Sequence, residues 1–263
     1  MNKVVFITGG SSGIGKATAE AMRDLGCTVY EGSRRESVTE GITHLTLDVT
    51  DESSCEKAIG EILSREGKLD ILISCAGSGI SGAIEFTEAD DVRFQTEVNF
   101  MGTVNITKAS LPIMRKAGSG RIVCISSVAA EFPIPFQAYY SATKAAINAY
   151  ACALANEVRP FGIRVTSVQP GDIKTGFTSS RKKSALGDDI YGGRISRSVA
   201  VMEHDEQNGM DPAKAGMMIA KIALKKRVKP VCTIGFGYKC LCIAGKILPK
   251  ALVNRLIGMI YAK

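Results

Sequence analysis

Thr8-Gly9-Gly10-Ser11-Ser12-Gly13-Ile14-Gly15 stands between an apolar run, Lys3-Val4-Val5-Phe6-Ile7, and a segment at 13–25 whose apolar residues recur at helical spacing. A strand that passes straight into a helix through a glycine-rich turn confines the chain to few folds. Small residues at such a turn let a ligand approach the backbone and the first N–H groups of the helix. A dinucleotide pyrophosphate suits that arrangement, so contacts are expected from Thr8, Gly9, Ser11, Ser12, Gly13, Ile14 and Gly15.

The rest of the chain continues the rhythm. Apolar runs at 3–8, 28–32, 43–47, 69–74, 120–126, 163–169 and 231–234 read as strands, and helical periodicity marks 13–25, 51–66, 91–117, 137–160 and 211–226. The runs are rich in Val and Ile without alternation, as in a parallel sheet buried on both faces. The expected fold is α/β, a single-domain doubly wound parallel sheet (Rossmann type) of about seven strands, covering 1–263. The segment 172–210, rich in Gly, Ser, Arg, Lys and Asp, breaks the pattern and reads as a substrate lid.

Length and composition exclude several classes. With 263 residues, 45% hydrophobic and 22% charged, the chain has enough apolar mass for one globular core and is not disordered. No charge-free run approaches the ~20 residues of a membrane span, and no leader pattern precedes the first strand, so a cytoplasmic protein is expected. The eight cysteines form no CxxC pair and the two histidines lie far apart, which gives no basis for a metal site. Nothing points to nucleic acid. The net charge of +7 is unevenly placed: residues 212–263 hold eleven Lys and Arg and no acid, so the tail is +11 and the remainder −4.

Two constellations carry chemistry. The second strand ends in Ser33-Arg34-Arg35. A carboxylate there would accept hydrogen bonds from the adenosine ribose of NAD, whereas arginine pairs with a 2′-phosphate, so NADP(H) is the expected cofactor. Asp48-Val49, at the end of the third strand, is expected to cover the adenine. In the second constellation, Tyr140 and Lys144 lie one helical turn apart, with Ser126-Ser127 ending the preceding strand and Asn99 inside the preceding helix. The carboxyl ends of central strands converge on one crevice in a doubly wound sheet. A phenol ordinarily titrates near ~10 and becomes a useful acid–base only beside a cation such as Lys144. These groups suit hydride transfer at a carbonyl carbon, with Ser127 holding the substrate oxygen and Asn99 holding a water that relays the proton.

Taken together, these motifs resemble the classical short-chain dehydrogenase/reductase family over about residues 3–176: the TGxxxGIG turn, Asp48, Asn99, Ser127, Tyr140, Lys144 and Pro170-Gly171-Asp172-Ile173-Lys174-Thr175. The resemblance selects Ser127 over Ser126, because the family's serine lies thirteen residues before its tyrosine. It implies catalysis by Asn99, Ser127, Tyr140 and Lys144. It also adds Ala76, Gly77, Tyr140, Lys144, Pro170, Gly171, Ile173 and Thr175 to the cofactor contacts, the residues matching Ile173 and Thr175 meeting the nicotinamide carboxamide. Ser74-Cys75-Ala76-Gly77 departs from the family's Asn-Asn-Ala-Gly, which removes an asparagine that braces the central sheet.

For the substrate, the largely apolar segments 79–84 and 132–136 suggest a lipophilic ketone or secondary alcohol. A hydroxysteroid is the first expectation, with a retinoid or acyl lipid next. Arg181-Lys182-Lys183 reads either as a contact for an anionic substrate group or as a solvated run. The extension 238–263 is basic and amphipathic, and resembles those of the hydroxysteroid and retinol dehydrogenases and of the acyl-dihydroxyacetone-phosphate reductases. Lys246, Lys250 and Asn254 fall four apart, as on one helix face. Such an end suits a membrane-surface contact, a cover over the substrate mouth or a dimer contact, and a homo-oligomer is expected. The rival to an enzyme is a non-catalytic NADP(H)-binding module that senses redox state or tethers a partner.

Overall fold

The computed structural model describes residues 2–262. Its strands are β1 (Val4–Thr8), β2 (Thr28–Ser33), β3 (Ile42–Thr46), β4 (Ile71–Ser74), β5 (Ile80–Ser81), β6 (Gly120–Ile125), β7 (Ile163–Gln169), β8 (Lys182–Lys183) and β9 (Val231–Thr233). The helices are α1 (Gly13–Asp24), α2 (Glu52–Glu66), α3 (Ala89–Thr96), α4 (Gly102–Lys116), α5 (Ala138–Glu157), α6 (Phe177–Ser180), α7 (Arg194–Gln207), α8 (Pro212–Leu224), α9 (Phe236–Ile247) and α10 (Lys250–Tyr261). Seven strands form one parallel sheet in the order β3-β2-β1-β4-β6-β7-β9, and β5 and β8 form a separate pair. This is the doubly wound architecture expected from the sequence.

Alternation along each strand divides the core into two layers. Phe6, Leu72, Ile122 and Val165 face α2, α4 and α5, while Val5, Ile7, Ile73 and Val123 face α1 and α8. Because both faces are covered, the central strands β1 and β4 are buried along their whole length. Truncating a fully buried side chain such as Leu72 to Ala costs about 2–5 kcal/mol. Layer spacing is set by small residues: a Cβ on Gly216 of α8 would lie 2.4 Å from the Ala17 backbone of α1.

The order reverses between β1 and β4, which opens a crevice at their carboxyl ends. Beside it, α3 and α4 are joined by a π-helical turn, Glu97–Met101, where the sequence predicts one uninterrupted helix. The segment 172–210 is more ordered than its composition suggests, because it holds α7 and the β8 edge. The C-terminal extension is two helices. Leu248-Pro249 breaks it, and since proline cannot continue a helix from its amino side, Lys246 does not share a helix with Lys250 and Asn254.

Candidate active site

A cleft of about 640 Å³ runs from the glycine turn across the carboxyl ends of β1, β4, β6 and β7 to the C-terminal helices. At its first end the turn after β1 is shaped for close approach. Gly9 has φ +70°, and a Cβ there would lie 2.9 Å from the Ala76 backbone. A Cβ on Gly15 would lie 2.2 Å from the Gly9 carbonyl oxygen. Ser12 begins α1 with no side-chain cap and no acid in the first turn, so the helix N-terminus faces the cleft with its positive dipole end uncompensated. This cradle fits a pyrophosphate. Gly9, Ser11, Ser12, Gly13, Ile14 and Gly15 all line it, whereas Thr8 lies beneath the wall, its hydroxyl accepting from Cys75 N at 3.1 Å and Ala76 N at 3.2 Å. Those two bonds fix the loop after β4 through its backbone, so the Asn-to-Cys75 departure does not leave the loop unbraced.

Ser33, Arg34 and Arg35 form the rim beyond β2, with the Ser33 hydroxyl donating to Arg35 O at 2.9 Å. Glu31, the acid of that strand, is turned inward against His44 and Gly10 and is 1% exposed, so it does not occupy the rim. Asp48 and Val49 close this end. Burial opposes ionisation of Asp48, but hydrogen bonds from Thr50 and the charge of Arg34 outweigh it and hold the carboxyl below its usual range. Ala76, Gly77, Pro170, Gly171, Ile173 and Thr175 line the middle of the cleft, and Thr175 sits across from Gly13.

At the other end α5 presents Tyr140 and, one turn on, Lys144. Lys144 is buried and its Nζ donates to Ile125 O at 2.9 Å while lying 5.5 Å from the Tyr140 ring centre. Burial pulls the Lys144 ammonium down from 10.5 to about 8. It pushes the Tyr140 phenol up to about 12, against a hydrogen bond from Ser127 that favours ionisation. The two adjacent serines divide their roles. Ser126 is buried and donates to the Lys144 carbonyl at 2.7 Å, pinning α5 to β6, whereas Ser127 lines the cleft and accepts only Ala129 N at 3.1 Å, leaving its hydrogen for Tyr140 or a ligand.

Asn99 lies in the π turn, fully buried behind Gly77 and Ser78. Its Oδ1 accepts from Ser78 N at 2.7 Å, and its Nδ2 donates to Ser78 O at 3.0 Å and Thr143 Oγ1 at 3.1 Å. Thus the side-chain amide braces the loop after β4 through Ser78 and ties it to α5 through Thr143. Two lining residues carried no sequence signal, Glu206 and Phe177, whose ring centre is 5.6 Å from that of Tyr140; Asp172 of the 170–175 motif and Tyr238, Leu241 and Tyr261 of the extension line the cleft as well. Of the expected apolar segments, Phe132 and Ile134 line the cleft but 79–84 does not, because Ile80 and Ser81 are buried by pairing with Lys182 and Lys183. The run Arg181-Lys182-Lys183 divides: Arg181 is buried and pairs with Glu206, whereas Lys182 and Lys183 are exposed and pair with Asp91 and Glu203.

The short chain dehydrogenase family model matches residues 3–185. A 3-ketodihydrosphingosine reductase of Bacteroides thetaiotaomicron is 44% identical over 227 residues, 85% of this chain and 84% of that protein. Dehydrogenase/reductase SDR family member 7B of Danio rerio is 33% identical over 253 residues, covering 90% of this chain and 78% of that one. Among solved structures, a short-chain dehydrogenase from Streptomyces avermitilis superposes with a TM-score of 0.83 at 31% identity, covering 97% of this chain and 95% of its own.

Proposed function

Since the chain belongs to the short-chain dehydrogenase family, we propose that it is an NADPH-dependent reductase of a long-chain keto lipid, with Tyr140 as proton donor and Ser127 and Lys144 beside it. The observation that carries the reading is the placing of Tyr140, Ser127 and Lys144 at one end of a cleft whose other end is a pyrophosphate cradle rimmed by Arg34 and Arg35.

A bound reduced nicotinamide would supply the hydride to the carbonyl carbon. The Tyr140 phenol, held protonated by burial, donates its proton to the oxygen as charge develops there. Ser127 Oγ donates a second hydrogen bond to that oxygen, and the Lys144 ammonium stabilises the phenolate left behind. Arginines on the rim with Glu31 withdrawn favour a 2′-phosphate, which supports NADP(H) over NAD.

On the substrate, the cleft walls combine apolar side chains (Val98, Phe132, Ile134, Leu241) with the Asp172 carboxylate, whose partner is the neutral Tyr238 hydroxyl, whereas Glu206 is already neutralised by Arg181. Apolar walls with the Asp172 carboxylate suit a lipid ketone with a protonated amine close to the carbonyl better than a steroid, which has no cation to offer. The relationship to a 3-ketodihydrosphingosine reductase supports the same preference. The test is NADPH consumption with a long-chain 2-amino-3-ketone, the matching ketone without its amine, a ketosteroid and a short aliphatic ketone. The amino ketone should give the highest kcat/KM. Tyr140→Phe should cut its turnover by ~10² or more, while Tyr139→Phe, whose hydroxyl donates to Ile84 O, retains it. Preference for the steroid would overturn the substrate assignment. NADPH binding with no ketone reduced would revive the non-catalytic module.

A further inference from the structure

The two C-terminal helices have faces of opposite use. Their inner face closes the cleft: Tyr238, Leu241, Ile257 and Tyr261 line it, the Tyr238 hydroxyl donates to Asp172, and the Tyr261 hydroxyl donates to Asp205 at 3.2 Å. Cys242, Val253 and Ile257 pack with Phe132 in a small cluster of their own. The outer face is unpartnered. Nine of the nineteen exposed large apolar side chains among the described residues fall on α9, α10 and their joint, led by Phe236 at 84%, Ile247 at 78% and Ile243 at 61%. The charged side chains of these helices are all basic, and Lys239, Lys246, Lys250 and Arg255 have no carboxylate partner among the described residues.

We infer that the outer face of α9–α10 docks on an anionic membrane surface, and that the lipid substrate passes from the bilayer along the inner face of the same helices to Tyr140. The inference goes beyond the proposed reaction by giving the substrate a source and a route. Charge selects the occupant. A second copy of the chain meeting this face about a two-fold axis would set lysine against lysine with no acid to pair, whereas anionic headgroups complement the basic residues and the acyl boundary accepts the apolar ones. Length selects the mode. Each helix has 12 residues, about 18 Å at 1.5 Å per residue, against a hydrocarbon core of about 30 Å, so both helices lie in the interface and neither crosses it. The opening is already at the surface, because Leu241 both lines the cleft and is 43% exposed among the docking residues.

The full-length protein is sedimented with vesicles of phosphatidylcholine alone and of phosphatidylcholine with phosphatidylserine. Binding should need phosphatidylserine and be released by salt. The triple variant Lys239→Gln/Lys246→Gln/Lys250→Gln should lose on the order of 100-fold in vesicle affinity. Ile243→Asp/Ile247→Asp should also fail to sediment. All variants should reduce a short soluble ketone as wild type does and lose rate only on long-chain ketone embedded in vesicles, which separates docking from misfolding. Binding indifferent to phosphatidylserine and salt overturns the inference. So does absence of vesicle binding, with or without dimers in sedimentation equilibrium. Vesicle binding is read without any turnover, so a failure of the proposed reaction leaves this result standing and is told apart from it.

Discussion

Tyr140 and Lys144 titrate in opposite senses for one reason. Each is removed from water, and burial favours the neutral form, so the phenol rises to about 12 and the ammonium falls to about 8. A protonated tyrosine is what reduction of a carbonyl requires, and it persists across the physiological range. The charge on Lys144 does not, because its proton leaves as pH rises through about 8. If the ammonium is needed to hold the phenolate, kcat/KM for ketone reduction stays level from pH 6 to 7 and falls about tenfold per unit above pH 8, with no matching fall in fluorescence-monitored NADPH binding. Lys144→Arg, protonated throughout, should abolish the fall in whatever activity it retains. A wild-type profile flat to pH 10 would remove Lys144 from the proton-transfer step. These groups were legible in the sequence because i, i+4 spacing is a local property of a helix. The partner of Asn99 was not, since Ser78 meets it only through the sheet.

At the scale of elements, the difference lies between regular pieces and the joints that aim them. Strand and helix positions followed from periodicity, and the structure shows Asp51 and Asp211 capping α2 and α8, their carboxylates accepting from Ser53 N and Lys214 N. The π turn left no pattern because it inserts its extra residue inside an otherwise helical run, and such turns cluster at functional sites. Here the turn places Asn99 against the loop after β4. Helix α7 was missed because its polar face dominates, while its buried residues, Ile195, Ser198 and Met202, are few. Asn99→Ala tests the joint. It leaves the Ser78 N–H and C=O without side-chain partners in a buried setting, a loss of about 2–3 kcal/mol, or a melting temperature lower by about 4–12 °C. Asn99→Asp keeps the acceptor for Ser78 N and should melt between the two. Calorimetry showing Asn99→Ala as stable as wild type would mean that the loop is held elsewhere.

For the whole molecule, charge is unevenly divided along the chain: residues 1–211 carry −4 and residues 212–263 carry +11, the latter running from α8 and β9 into the exposed helices α9 and α10. The crevice between β1 and β4 joins both halves of the sheet, so a dinucleotide bound there ties the β2 rim to the β6 and β7 ends and binds the folded chain only. Linkage then makes cofactor preference readable as stability. With NADPH at a hundred times its dissociation constant, the native state gains about 2.7 kcal/mol, and melting should rise by about 5–10 °C. NADH at the same concentration should give a clearly smaller rise, because it offers no phosphate to Arg34 and Arg35. Arg34→Ala weakens only the phosphate contact, by about tenfold or more. It should therefore shrink the NADPH shift while leaving both the NADH shift and the melting temperature of the free protein in place. A wild-type chain stabilised more by NADH than by NADPH would reverse the cofactor assignment while leaving the roles proposed for Tyr140, Ser127 and Lys144 intact.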